Sequence, residues 1–180
     1  NKKYLPLTIY GSQNLKSIFY KENRGSAQCK SSVIFAGMRT RGQTKIKAKK
    51  SRNHTELLCK YLKFPLTIVK KKNYDEIKIK KVKKIRKLNY NIPSDISSSS
   101  FFIVLTALSK NSELVIKNVN INSSRIGIVH ILRKMGVKIN FKNSKIYKGE
   151  KIADIQIQSP EKLKPINCPT KFNTGAIDEF

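Results

Sequence analysis

The stretch DEIKIKKVKKIRKLNYNIPSDISSSSFFIVLTAL, Asp75 to Leu108, holds one whole cycle of a pattern. Apolar residues fall at alternate positions, the alternation breaks, and a second alternating stretch runs to Pro93. A cluster of small polar residues then opens an apolar, helix-like segment. The first part of that cycle recurs in LPLTIYGSQNLKSIFYK (Leu5 to Lys21) and in ADIQIQSPEKLKPINCP (Ala153 to Pro169). The small-residue loop that opens a helix recurs as GSAQCKSSVIFAG and as NTGAIDEF.

Working outward, QTKIKAKKSRNHTELLCKYLKFPLTIVK is matched by SELVIKNVNINSSRIGIVHILRKMGVKINFK. Arg52 aligns with Arg125, and the Leu58/Leu62 stripe with Leu132 and its neighbours. In each copy a strand leads through a polar turn to a second helix. Asn53 and Glu56 have the spacing of a capping box, and Gly136 marks a helix stop. The unit is helix, strand, helix and three strands, repeating at roughly 70 to 80 residues. Two units and the start of a third are visible. Alternating strands and amphipathic helices give an α/β fold with helices packed on sheets. The Pro and Ser cluster at Asn91 to Ser97 predicts a boundary. Both ends of the chain read as cuts.

The 180 residues suffice for one ordinary domain or two small ones. A hydrophobic content of 39% with 8 Phe and 7 Tyr excludes a disordered chain. The net charge of +27 points first to nucleic acid. However, 31 of the 38 basic residues are Lys, spread along the chain. The densest run, KIKKVKKIRK from Lys78 to Lys87, interleaves with Ile and Val as a strand with one wet face does. Cys29, Cys59 and Cys168 fit neither a metal site nor a disulfide framework, so reduced thiols are expected. The longest apolar run, Phe101 to Leu108, is too short to span a bilayer.

Candidate residues follow from the turns. Ser26-Ala27-Gln28 lies where a helix begins. Unpaired backbone amides and the helix dipole favour an anion there, and a Ser hydroxyl and a Gln amide can complete its site. A plain Ser cap explains the same residues. Arg52, between strand and helix, suits a phosphate or carboxylate, or else a surface or cap contact. Asp178 and Glu179 open the last helix, as dipole considerations alone favour, though an Asp among many cations can also serve as a base. His54 and His130 are expected to make local hydrogen bonds, and Lys30 to be solvated.

Taken together, LPLTIYGSQNLKSIFYK, GSAQCKSSVIFAGM, SRNHTELL, IPSDISSSSFFIV, INSSRIGIVHILRKMGVKI and GAIDEF resemble, in order and over essentially the whole chain, the 5-enolpyruvylshikimate-3-phosphate synthase family, in its branch with SAQ rather than SSQ. The resemblance implies repeated βαβαββ units of the two-lobed enolpyruvyl transferase fold, an inside-out α/β barrel, incomplete at both ends. Residues 1–92 would be the C-terminal part of the first lobe and 93–180 the N-terminal part of the second.

It also implies roles. Ser26, Ala27 and Gln28 match the loop that holds the phosphate of shikimate 3-phosphate, and Arg52 a further contact to that substrate. Ser51 is a weaker candidate, because the turn can align one residue out. Asp178 matches the carboxylate that takes the proton from the 5-hydroxyl as that oxygen attacks C2 of phosphoenolpyruvate. No metal or organic cofactor is implied, and the expected setting is a cytoplasmic monomer that binds neither nucleic acid nor membrane. The family's Lys-Ser-x-x-x-Arg, Gly-Asn-Ala-Gly-Thr, Lys-Glu-x-Asp-Arg and Asp-His-Arg segments do not occur in these residues, so the 180 residues alone are expected to be inactive. Two other readings are the enolpyruvyl transferase acting on UDP-N-acetylglucosamine, which lacks the match to SAQCKS and SRNHTE, and a basic nucleic-acid-binding module, which rests on charge alone.

Overall fold

The computed structural model describes residues 5–85 and 87–179. They divide into two compact units, one comprising the chain up to Lys49 together with Pro65–Ile85, the other Lys50–Phe64 and Arg86–Phe180.

In the first unit, alternation dictates the strands. Thr44, Ile46 and Ala48 are buried on one face of β2 (Gln43–Lys49), while Lys45 and Lys49 face water. Ile77 and Ile79 do the same on β4 (Tyr74–Lys80), with Lys78 and Lys80 outward. The sheet order is β1-β2-β4-β3, where β1 is Phe19–Glu22 and β3 is Leu66–Lys70. β1 runs parallel to β2, and the other pairs are antiparallel. Helix α1 (Ala27–Gly37) buries Ile34 and Gly37. The Lys-rich run is therefore a wet-faced strand only through Lys80. Beyond it, Val82 is buried and donates its N–H to the Met38 carbonyl at 2.9 Å.

The second unit contains α2 (His54–Tyr61), α3 (Ile96–Leu108), β5 (Glu113–Asn120), α4 (Gly127–Lys134), β6 (Lys138–Tyr147) and β7 (Glu150–Gln158). Its sheet has the order β5-β7-β6, antiparallel throughout. That repeats the β2-β4-β3 part of the first sheet, strand for strand. Ile103 of α3, Val129 of α4 and Ile155 and Ile157 of β7 are fully buried in one core. α3 leaves Phe101, Phe102, Leu105 and Leu108 more than half exposed.

The place that β1 takes in the first copy is held in the second by one parallel bridge, Ser94 to Val119. Ser94 donates to the Asn118 carbonyl at 3.0 Å and accepts from the Asn120 N–H at 2.9 Å. The expected third strand shrinks to this bridge because Pro93 has no N–H to give a ladder. The stretch from Pro160 to Pro169 likewise forms no strand.

Both outer strands of this sheet bulge against the central one. Asn118 and Asn143 adopt φ of 51° and 50° at the two register shifts. Asp154 of β7 ties both down, accepting the Asn118 N–H at 2.9 Å and the Asn143 amide at 2.8 Å. α4 stops at Gly136 as its sequence predicts, with the Gly136 N–H on the Arg133 carbonyl and the Val137 N–H on that of Leu132. The capping box at α2 does not form. Asn53 occupies the N-cap position, but its side-chain oxygen accepts from Asn122 at 2.9 Å instead. Among the described residues, no helix is long and apolar enough to cross a membrane.

Candidate functional site

Two constellations carry the candidate residues. The first is the start of α1. Ser26 is its N-cap, with extended backbone, and its hydroxyl oxygen accepts the Cys29 N–H at 3.2 Å. The cap reading of Ser26 is thus realised. It leaves room for the anion reading, because one hydroxyl satisfies one of several first-turn amides and the first turn holds no acidic residue. Gln28 is exposed beside it.

This loop is held from behind. Glu22, at the end of β1, is 4% exposed. Its two carboxylate oxygens accept the N–H groups of Arg24 and Gly25, each at 2.8 Å. Gly25 sits at φ 80°, where a side chain would be strained, and that turn lets successive amides converge on one carboxylate. Burial pushes the Glu22 carboxyl up, but the backbone N–H groups of Ser26, Gly25 and Arg24 and the charge of Lys30 outweigh it and hold the group below its usual range. Lys30 corrects an expectation. It is not solvated but 1% exposed, among the most buried side chains of the chain.

The second constellation gathers residues distant in sequence. Asp178 lies in a 3-10 turn, Ile177–Glu179, rather than in the α-helix its sequence suggests. Arg52 donates to Asp178 Oδ2. The Arg125 guanidinium lies 4.0 Å from the same oxygen. Arg125 also donates to Asp95 at 3.0 Å and to the Ser97 hydroxyl, and Ser97 in turn donates to Glu179. Asp95 is the N-cap of α3, accepting the Ser98 N–H at 2.9 Å. Burial raises its pKa, but that N–H, the Ser98 hydroxyl and Arg125 bring it below the usual range.

Backbone packing sets where Asp178 lies. A Cβ on Gly127 would meet Gly175 C at 2.6 Å and the Phe172 carbonyl oxygen at 2.7 Å, so only glycine lets α4 touch the segment that leads to Asp178. His130 stacks on Phe172 with ring centroids 5.3 Å apart, and Ala176 is fully buried in the core. A cavity of about 570 Å³ borders this site, with Arg125, Asp95, His54 and Glu150 in its wall. Ser51 lies next to Arg52, its hydroxyl buried and without a hydrogen-bond partner among the described residues.

His54 was expected to bond locally. Its Nδ1 instead meets Glu150, 96 residues away, at 2.6 Å. Burial pushes Glu150 up, but His54 and the amides of Asn122 and Asn120 outweigh it and lower its pKa. Among the described residues no group of three or more His, Cys, Asp or Glu is placed to hold a metal ion.

The structure thus brings Arg52 and Asp178 into contact, with Ser51 alongside, while Ser26, Ala27 and Gln28 stand together in the other unit. This pairing joins two of the motifs quoted from the sequence, SRNHTELL and GAIDEF. The EPSP synthase (3-phosphoshikimate 1-carboxyvinyltransferase) family model matches residues 1–175. The chain belongs to the EPSP synthase family. The 3-phosphoshikimate 1-carboxyvinyltransferase of Legionella pneumophila (strain Lens) is 39% identical over 176 residues, covering 97% of this chain and 40% of that protein. That of Petrotoga mobilis is 36% identical over 181 residues, covering all of this chain and 41% of that protein. A solved EPSP synthase from Acinetobacter baumannii superposes with a TM-score of 0.82 at 35% identity, covering 95% of this chain and 38% of that one. The chain spans about two fifths of the length of these family members. The fold is that of this family, so the α/β repeat read from the sequence is part of the enolpyruvyl transferase architecture.

In these two constellations of a chain of the EPSP synthase family, three partner residues are not assigned by the sequence. Glu22 carries no local signal, because its role depends on a turn that only the folded β1 and α1 create. Asp95 looks like an ordinary cap. Arg125 had one usable signal, its repeat equivalence with Arg52.

Proposed function

We propose that the protein carrying these residues transfers the enolpyruvyl group of phosphoenolpyruvate to the 5-hydroxyl of shikimate 3-phosphate. The hydroxyl oxygen bonds to C2 of phosphoenolpyruvate while its proton passes to Asp178 and a proton adds to C3. The tetrahedral adduct then loses phosphate from C2 and a proton from C3, giving the enol ether. Ser26, Ala27 and Gln28 bind the substrate phosphate through the helix start and their side chains, and Arg52 supplies a second contact, with Ser51 beside it. The pairing of Arg52 with Asp178 supports this most directly, since it puts an anion-binding group beside a candidate base.

The reading assigns no metal or organic cofactor, a lobe boundary after residue 92, and a cytoplasmic monomer. Residues 1–180 alone are proposed to be inactive. The apolar face left open on α3 supports that view, because such a face calls for more protein around it.

The test is phosphate release from phosphoenolpyruvate and shikimate 3-phosphate by the complete gene product. Wild type is expected to turn over. Gln28→Ala is expected to lose about 10- to 100-fold in kcat/KM, and Asp178→Ala about 100- to 10,000-fold in kcat. A folded wild type with no turnover of shikimate 3-phosphate would remove the assignment, and UDP-N-acetylglucosamine would be the next acceptor to assay.

A further inference from the structure

We propose that Asn122 is a positioning residue that sets the spacing between Arg52 and Arg125, so that both guanidiniums face Asp178. The inference rests on the reading that Arg52 contacts shikimate 3-phosphate and that Asp178 takes its proton.

The two arginines come from separate turns, one before α2 and the other before α4. Arg52 donates to Asp178 Oδ2, and Arg125 lies 4.0 Å from the same oxygen. Two like charges brought to one carboxylate repel each other, so a bond elsewhere must hold their turns together.

Asn122 makes that bond. It lies in the turn between β5 and α4 and is 5% exposed. Its side-chain amide donates to Asn53 Oδ1 at 2.9 Å and to Glu150 Oε2 at 3.2 Å. Its Oδ1 accepts the Ser124 N–H at 2.9 Å and the Ser124 hydroxyl at 2.8 Å. Both donors and both lone pairs of the side chain are thereby used. The Asn122 carbonyl in turn accepts the N–H of Arg125 at 2.8 Å. Asn53 directly follows Arg52, so a single residue bonds the neighbour of one arginine and the backbone of the other. The sheet anchors the whole. Glu150 opens β7, and the Ile121 N–H donates to the Lys151 carbonyl at 2.9 Å.

Two details set this apart from ordinary buried polar packing. Asn53 holds the N-cap position of α2 without capping it, and its oxygen serves Asn122 instead. The link between the two turns is also neutral, so it fixes two cations without competing with an anionic substrate for either. Holding binding groups in place beforehand lowers the ordering cost of ligand binding. Asn122 acts through the two arginines, and its role is positioning rather than catalysis.

The test uses Asn53→Ala and Asn122→Asp in the complete protein, each in the wild-type and the Arg52→Ala backgrounds. Asn53→Ala removes the acceptor and leaves the Ser124 turn intact. Asn122→Asp keeps both lone pairs for Ser124 but loses the donors to Asn53 and Glu150. Steady-state kinetics are read for both substrates, with urea midpoints to show that each variant assayed is folded. The KM for shikimate 3-phosphate is expected to rise about 5-fold in Asn53→Ala and about 20-fold in Asn122→Asp, while the KM for phosphoenolpyruvate changes less than about 2-fold. A loss of folded protein lowers kcat and leaves KM alone, so the rise in KM distinguishes positioning from stability. In the Arg52→Ala background each substitution is expected to change the KM for shikimate 3-phosphate less than about 2-fold.

If Asn122→Asp does not fold, Asn53→Ala decides by the same comparison. An equal rise in both backgrounds, or a fall in kcat with that KM unchanged, would overturn the role of Asn122. Arg52→Ala by itself separates this from the parent reading. If it leaves the KM for shikimate 3-phosphate unchanged, Arg52 is not a substrate contact and the positioning role falls with it. If it raises that KM while the effect of Asn53→Ala persists undiminished beside it, only the inference about Asn122 fails.

Discussion

The starts of α1 and α3 occupy the same place in successive repeats, and they are capped differently, one by a neutral side chain and the other by a carboxylate. Both follow a parallel pairing, β1 with β2 in one copy and Ser94 with Val119 in the other. Both have a side-chain cap accepting the N–H three residues on. The α1 cap is the neutral Ser26, and the nearby acid, Glu22, is buried behind the loop on the N–H groups of Arg24 and Gly25. The α3 cap is Asp95 itself, paired with Arg125. A helix dipole already met by a carboxylate has little attraction left for an anionic ligand. The two helix starts differ in what they hold: α1 has no acidic residue in its first turn and a neutral cap, which the proposed function uses for the substrate phosphate, and α3 anchors Arg125, Ser97, Glu179 and through them the turn that carries Asp178.

The largest effect is expected where the second of these arrangements depends on contact between backbones. Gly127→Ala would force α4 away from the segment Phe172–Ala176. We expect a loss of about 3 kcal/mol in unfolding free energy, read from denaturant midpoints, and a larger fall in kcat than in substrate affinity because Asp178 shifts. A Gly127→Ala protein with wild-type stability would show that this segment is not held by α4. No comparable sensitivity is expected at the start of α1, where the loop is held by side-chain hydrogen bonds.

A smaller effect comes from exchanging the caps. Asp caps a helix as well as Ser does, so Ser26→Asp should fold normally. It closes the open end of α1 with a charge, and the KM for shikimate 3-phosphate should rise about 30-fold, roughly 2 kcal/mol. Asp95→Ser keeps a cap on α3 but takes from Arg125 its 3.0 Å partner. It should lower kcat about 5-fold with the same KM nearly unchanged. Equal KM effects from the two substitutions would erase the functional difference between the helices.

The contrast between the two helix starts also marks what the sequence makes legible. The strands at Gln43–Lys49 and Tyr74–Lys80 and the stop at Gly136 are visible because they depend on residues close together in the chain, and the repeat is visible because those local patterns recur in order. Ser26, Gln28, Arg52 and Asp178 are visible as motif residues, but the ion pair of the last two joins residues 126 apart and is not visible in the sequence. Lys30 misleads because its burial depends on what packs around α1 and not on its neighbours in sequence. His54 misleads for the same reason, since its partner Glu150 is remote in sequence. Asp154 gives no hint that it ties down two bulges, because each bulge is set by strand pairing. Local periodicity writes elements into a sequence. Charge pairs between elements are written only in the fold.

The smallest effect tests that last point through Glu150, a buried acid whose partners come from α2 and from the turn after β5. Its carboxyl oxygens meet His54 at 2.6 Å and the Asn122 amide at 3.2 Å. Burial alone would raise its pKa, but these partners lower it below the ordinary 4.5. A carboxyl with a lower pKa folded than unfolded stabilises the fold fully at pH above 4.5, where both states are ionised. The contribution then fades as pH falls through the folded-state value, because the unfolded chain takes up the proton first. Glu150→Gln keeps the shape and one acceptor oxygen, so the expected loss at pH 7 is modest, about 1 kcal/mol. The two proteins should converge as the pH is lowered below 4.5, when measured by urea midpoint at a series of pH values. A gap that stays constant across that range would mean Glu150 contributes by shape and neutral hydrogen bonding alone, and the ionisation of its carboxyl would carry no weight in tying α2 to β7.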